Sequence, residues 1–177
     1  SGNSNDANDI TGREPSWDTS TGWKGNGAND TTSKLLTTNL RVLSTSWSVI
    51  VRYSGAQASN DKLIFSSDYS GGYRHWGLTF YHVAPTQRWS CGGEYATGQS
   101  LTSSGIMAMA GDKAYLDGDY LLDIPTGDLP VSYIYIMANP SAGGTNGFIG
   151  YIQAAAIYNA TLTSTQVGNL TTAMAAL

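Results

Sequence analysis

The stretch 68–95 gathers the side chains best suited to holding a ligand: Tyr69, Tyr73, Arg74, His75, Trp76, Arg88, Trp89, Glu94 and Tyr95. A sugar ring presents an apolar C–H face and a fringe of hydroxyls. An aromatic ring receives the first, while Arg, His or a carboxylate hydrogen-bonds the second. Gly71-Gly72 lets the backbone come close to a ligand. The same residue types build protein–protein interfaces, so a glycan, a host surface and a neighbouring subunit all remain open as partners. Trp76 and Trp89 have a second reading, as core anchors of a β-sandwich.

The residues for catalysis are sparse. Glutamate occurs only at Glu14, in the polar lead-in, and at Glu94, which stands alone, so no ExDxE arrangement supplies the closely spaced carboxylate pair of a glycosidase. Asp117, Asp119 and Asp123 have strand-like spacing, but Asp117-Gly118 reads as a turn and the others as a solvated strand edge. His75 and His82 have no GxSxG elbow nearby, and Cys91 lacks an activating neighbour, which makes it a structural thiol. The expectation is a protein that is not an enzyme.

For metals, calcium takes six to eight oxygens from carboxylates, carbonyls and Asn side chains. The segment NSNDAND (3–9) offers Asp6, Asn8 and Asp9, and Asn29 and Asp30 lie in GANDTT. The competing reading of both is a solvated Asx turn. One cysteine excludes an intramolecular disulfide, and no Cys/His cluster suits zinc.

These residues need a scaffold, and composition indicates its class. Gly, Ser, Thr and Asn make up 71 of 177 residues, alongside 19 aromatics. Four lysines and two glutamates leave few strong helix formers. The profile is that of many short strands joined by polar turns. Nine cations against 13 anions exclude a phosphate-gripping nucleic-acid binder. No apolar run reaches the roughly 18 residues of a membrane-spanning helix, so membrane insertion is not expected. The opening SGNSNDANDITG lacks a signal-peptide pattern, which fits either a removed leader or a piece of a longer chain.

Along the chain, residues 1–22 read as an irregular polar lead-in tacked down by Trp17 and Trp23, and 23–177 as a single domain. SWSVIVRY (46–53) alternates as a strand, with KLIFSS (62–67) expected as its antiparallel neighbour. WGLTFYHV (76–83), with Trp76, Leu78, Phe80 and His82 on one face, pairs with QRWSC (87–91), making Trp76 and Trp89 cross-strand neighbours. YATGQSLTSSG reads as turn, IMAMAG as strand, and KAYLDGDYLLDIP as a hairpin about Asp117-Gly118. YIYIMA and GFIGYIQAAAIYN close the strands. LTSTQVGNLTTAMAAL reads as a helix with Thr163 as N-cap and Gln166 completing a capping box.

From Gly25 onward, the order of GNGAND (25–30), SWSVIVRY (46–53), KAYLDG (113–118) and FIGYIQAAAIYNATLTSTQVGNL (148–170) resembles the laminin-G-like branch of the concanavalin A-like lectin/glucanase jelly rolls. The resemblance covers about 150 of 177 residues. It implies an all-β antiparallel β-sandwich with a short C-terminal helix. It also implies a non-catalytic recognition module, extracellular or on a virion surface, that binds carbohydrate or a host surface, with calcium at the sheet rim in some members. The alternative is a structural or decoration domain of a viral or extracellular assembly; a glycoside hydrolase ranks behind both. The ligand-binding expectation is Tyr69, Tyr73, Arg74, His75, Trp76, Arg88, Trp89 and Tyr95.

Overall fold

The computed structural model describes residues 8–9, 16–26, 36–41, 46–57, 62–67, 76–81, 86–91, 94–100, 102–125, 133–137 and 148–177. Their strands form two seven-stranded antiparallel sheets. The first runs β1 (Asn8–Asp9), β4 (Leu36–Arg41), β13 (Tyr133–Ile136), β6 (Lys62–Ser67), β7 (Trp76–Tyr81), β8 (Thr86–Cys91) and β9 (Glu94–Ser100). The second runs β12 (Asp119–Asp123), β11 (Lys113–Leu116), β10 (Gly105–Ala110), β5 (Ser48–Ser54), β14 (Ile149–Tyr158), β3 (Gly22–Asn26) and β2 (Ser16–Asp18). A helix, α1 (Ser164–Ala175), follows β14. The result is the expected all-β sandwich with a short C-terminal helix.

β5 shows how one strand serves two layers. Val49, Val51 and Tyr53 face Leu78, Trp89, Ile134 and Ile136 of the other sheet and form the main core with them. Ile50, on the opposite face, packs with Ile106, Ala108, Ala110 and Tyr115 under Val167 and Met174 of the helix. Alanine at 108 and 110 leaves room for the helix to lie close. Val167, Thr171 and Met174 are its buried residues, and their i, i+4, i+7 spacing makes one helical stripe. Ser48 donates to the Ala160 carbonyl at 2.7 Å and accepts from Leu162 N–H at 3.0 Å, tying the chain's approach to the helix onto β5.

The helix start is as expected. Thr163 Oγ1 accepts from Gln166 N–H at 3.3 Å, and Gln166 Oε1 accepts from Thr163 N–H at 2.8 Å. Each satisfies a backbone donor that the first turn leaves open. Thr163→Ala should therefore cost about 1 kcal/mol, seen as a fall of roughly 2–4 °C in the melting temperature.

The hairpin about Asp117-Gly118 is present, with φ of 51° and 92° at the two turn residues. Both lie in the left-handed region that a two-residue type I′ turn requires.

Three expectations need correction. KLIFSS does not neighbour SWSVIVRY: β5 pairs with β10 and β14, while β6 pairs with β7 and β13 in the opposite sheet. Alternation marks a strand's faces but does not identify its partner. Residues 95–100, read as turn, belong to β9, because pairing with β8 outweighs the weak strand preference of Gly98 and Gln99. Where the lead-in is described, at residues 8–9 and 16–22, it forms strands and a turn in place of an irregular drape. β1 and β2 add edge strands to the first and second sheets, and Trp17 meets Trp23 across the β2–β3 pair with ring centroids 5.1 Å apart. Asp18 fixes that hairpin by accepting from Ser20 N–H at 2.7 Å and Thr21 N–H at 3.1 Å, and also from the Ser20 hydroxyl.

Candidate functional site

The expected binding residues divide by location. Tyr69, Tyr73, Arg74 and His75, like His82 and Asp6, lie outside the described residues. Trp76 opens β7, Arg88 and Trp89 belong to β8, and Tyr95 to β9. Trp89 stands opposite Leu78, and both are fully buried at 0% exposure. Trp89 is therefore a core residue and no surface for a sugar, which corrects its place in the expected set. Its Nε1–H finds no acceptor among the described residues. The register also corrects the expected pairing of the two tryptophans, because Trp76 faces Ser67 of β6. Trp76 lies two positions from Leu78, on the same inward face, since successive strand residues alternate between faces.

The same alternation places Arg88 and Tyr95 on the face turned away from the core. Arg88 is opposite Thr79 and Thr97, and Tyr95 is opposite Ser90. Continuing across the sheet, Ser90 is opposite Gly77, Gly77 opposite Ser66, Ser66 opposite Tyr135, and Tyr135 opposite Thr37. One transverse row thus reads Tyr135, Ser66, Gly77, Ser90, Tyr95. Ile134 and Ile136, on either side of Tyr135, are buried in the core, while Tyr135 itself is half-buried. Two tyrosines four strands apart, about 19 Å at ~4.8 Å per strand, bracket three small residues. Arg88 lies two positions along β8 from Ser90. Residues 68–75 fall between β6 and β7 in the sequence. Tyr135 was absent from the expected set. It reaches the row through pairing between strands far apart in sequence, which no local pattern reveals.

Asp117 and Asp123 are occupied structurally. Asp117 Oδ1 accepts from Ile106 N–H at 2.8 Å, bracing the hairpin against β10. Asp123 Oδ1 accepts from Lys113 Nζ at 2.9 Å and from the Tyr120 hydroxyl at 3.1 Å. The Lys113 bond, then the Tyr120 bond, hold Asp123 below the usual carboxylate range, and Asp123 in turn raises Lys113. Loss of water contact, followed by the bond to Asp123, raises the Tyr120 phenol. Asp18 is lowered, chiefly by the Ser20 hydroxyl. Among the described residues no group of three His, Cys, Asp or Glu could hold a metal ion. Asn8 and Asp9 occupy adjacent positions of β1, opposite Thr37 and Leu36.

The sandwich is similar to several solved structures. Trypanosoma rangeli sialidase in complex with 2,3-difluoro-KDN matches with a TM-score of 0.63 at 16% identity, over 85% of this chain and 27% of the sialidase. The Ruminococcus gnavus IT-sialidase CBM40 bound to α2,3-sialyllactose matches with a TM-score of 0.56 at 11% identity, over 71% of this chain and 82% of the CBM40. The same CBM40 without that ligand gives 0.55 at 12% identity. The chain thus spans about a quarter of the sialidase and most of the CBM40. No family model and no curated protein matches the sequence. At these identities the likeness establishes a β-sandwich fold.

Proposed function

We propose that this chain is a non-catalytic carbohydrate-binding module of the laminin-G-like and concanavalin A-like kind, working outside cells or on a virion surface. The observation that carries the reading is the transverse row Tyr135, Ser66, Gly77, Ser90, Tyr95 with Arg88 beside it, on the sheet face turned away from the core. Tyrosine rings suit the C–H faces of sugars, and the three residues between them in the row are small. A guanidinium pairs with a carboxylate in two parallel bonds, so a glycan ending in an acidic sugar suits Arg88. The CBM40 neighbour, bound to α2,3-sialyllactose, supports that ligand class. Tyr69, Tyr73, Arg74 and His75, which fall between β6 and β7 in the chain, have side chains of the same sugar-binding types. Trp76 shares the inward face with Leu78 and is not assigned a contact.

Calorimetric titration with α2,3-sialyllactose and with lactose tests the reading. The wild-type chain should prefer the sialylated sugar. Arg88→Ala should lose that preference, a weakening of at least tenfold, or about 1.4 kcal/mol. Tyr95→Ala should weaken both sugars, and neither variant should melt earlier. Absence of binding to any member of a broad glycan array, with calcium present and again with EDTA, would overturn the reading. It would leave the alternative, a decoration domain whose tyrosine row contacts another subunit.

A further inference from the structure

On the outer face of the second sheet, beside the C-terminal end of α1, lies an open recess of about 350 Å³. Its polar lining is Arg52, Ser54, Ser104, Asp117 and Gln153, and Ala175 of the helix forms one wall. This is a small volume for a ligand site, at the low end of the ~300–1,000 Å³ range.

Both charged groups are held in place. Arg52 Nη1 donates to the Met174 carbonyl at 2.7 Å, at the end of the helix where the macrodipole favours a cation. Asp117 Oδ1 accepts from Ile106 N–H at 2.8 Å. The ion pairs among the described residues are all made by Lys113, so Arg52 and Asp117 are not paired with each other. A guanidinium and a carboxylate thus line one recess, each tethered from behind by backbone, with donors and acceptors to spare. Gly105 keeps the floor open: a Cβ there would lie 3.1 Å from the Tyr53 hydroxyl and 3.2 Å from Asp117 Oδ1.

We infer that this recess is a second binding site, for a single neutral sugar ring. Vicinal hydroxyls can donate to Asp117 and accept from Arg52 at once. Ser54, Ser104 and Gln153 both donate and accept, as a hydroxyl fringe requires. An anion would meet Asp117 and a cation would meet Arg52, so the paired signs select against net charge. A flat aromatic ligand finds no exposed aromatic ring to stack on among the lining residues, because the Tyr53 ring is fully buried. A free amino acid could span the two charges, but it would leave the two serines and the amide of Gln153 with little to bond. The site lies on the opposite sheet from Arg88, so the inference does not depend on the function proposed above.

The test is an amide chemical-shift titration of the ¹⁵N-labelled chain with D-galactose, D-glucose, D-mannose and N-acetyl-D-glucosamine, and with glycine as the zwitterionic control. At least one sugar should shift Gly105, Ile106, Asp117 and Ala175 while glycine does not. Asp117→Asn keeps the turn and the acceptor for Ile106 but removes the charge. It should weaken the sugar roughly tenfold with an unchanged melting temperature. Ser104→Trp, which fills the recess from an exposed position, should abolish the shifts. Shifts only at β8 and β9, no shifts with any of the four sugars, equal binding by Asp117→Asn, or preference for glycine would each overturn the assignment.

Discussion

Trp89→Ala is expected to cost about 3–5 kcal/mol, the range for removing a large aromatic side chain from a packed core. Trp89 is wholly enclosed, opposite Leu78 on one side and Ala96 on the other. It belongs to the cluster that joins Val49, Val51 and Tyr53 of one sheet to Ile134 and Ile136 of the other. No single layer can collapse into the space it would leave. Against a total stability of roughly 5–15 kcal/mol, the variant should melt about 6–20 °C lower. Trp89→Phe should lose much less, because the Nε1–H has no partner to forfeit among the described residues and most of the ring volume stays. The pair also guards the functional test. Failure of Trp89→Ala to bind a glycan would report a damaged core, whereas Arg88→Ala on the same strand should melt like the parent. A Trp89→Ala melt within about 2 °C of wild type would show that the indole is not packed between the sheets.

That contrast between neighbouring residues marks the limit of what sequence alone discloses. Alternation in residues 76–83 already put Trp76, Leu78 and Phe80 on one face, and Leu78 is indeed in the core. The further step is the register: Trp89 stands opposite Leu78, which leaves Arg88 on the alternate positions of β8, opposite Thr79. Local signals were legible wherever the structure they encode is local. Asp117-Gly118 made its turn, Thr163 and Gln166 made their capping box, and residues 46–53 made their strand. Signals that depend on a distant partner were not. β5 pairs with β14, about a hundred residues on, and Tyr135 joins Tyr95 in one row only through β6, β7 and β8.

The polar face of β5 illustrates the same point. Ser48, Ile50 and Arg52 alternate with Val49 and Val51, a spacing that defines a second face without identifying what lies on it. In the folded chain α1 covers that face, and both polar residues bond to backbone around the helix, Ser48 at the Ala160 carbonyl and Arg52 at Met174. A buried polar side chain needs such a partner. The helix's apolar stripe was readable, but the surface it covers was not. Arg52's place at the helix end in turn creates the charged wall of the second recess.

Two glycines should prove nearly as intolerant as Trp89, for a different reason. Gly150, within β14, has φ of +139°, and a Cβ there would lie 2.7 Å from the Ser54 carbonyl oxygen and 2.8 Å from Phe148 Cζ. Gly22, at the start of β3, has φ of +89°, and its Cβ would lie 2.3 Å from the Ile152 carbonyl oxygen. Alanine at either position meets a disfavoured backbone region, about 1–3 kcal/mol, and a clash with backbone that cannot rotate aside, a further ~1–3 kcal/mol. Each variant should therefore lose about 2–6 kcal/mol and melt well below the parent. Gly168→Ala supplies the opposite sign. That glycine sits mid-helix with nothing within 4 Å of its Cβ position, so alanine should stabilise by about 0.5–1 kcal/mol. The functional consequence lies in β14. Between Ile152 and Ala154 its register against β5 slips by one residue, leaving Gln153 as the bulge, and Gln153 is the β14 side chain that lines the second recess. Close approach at Gly22 is what lets β3 run beside β14 at that bulge, and close approach at Gly150 is what lets β14 run beside the end of β5 just before it. A Gly150→Ala or Gly22→Ala chain that melts with the parent would show that the strands do not approach this closely, and the placement of Gln153 would fall with that geometry.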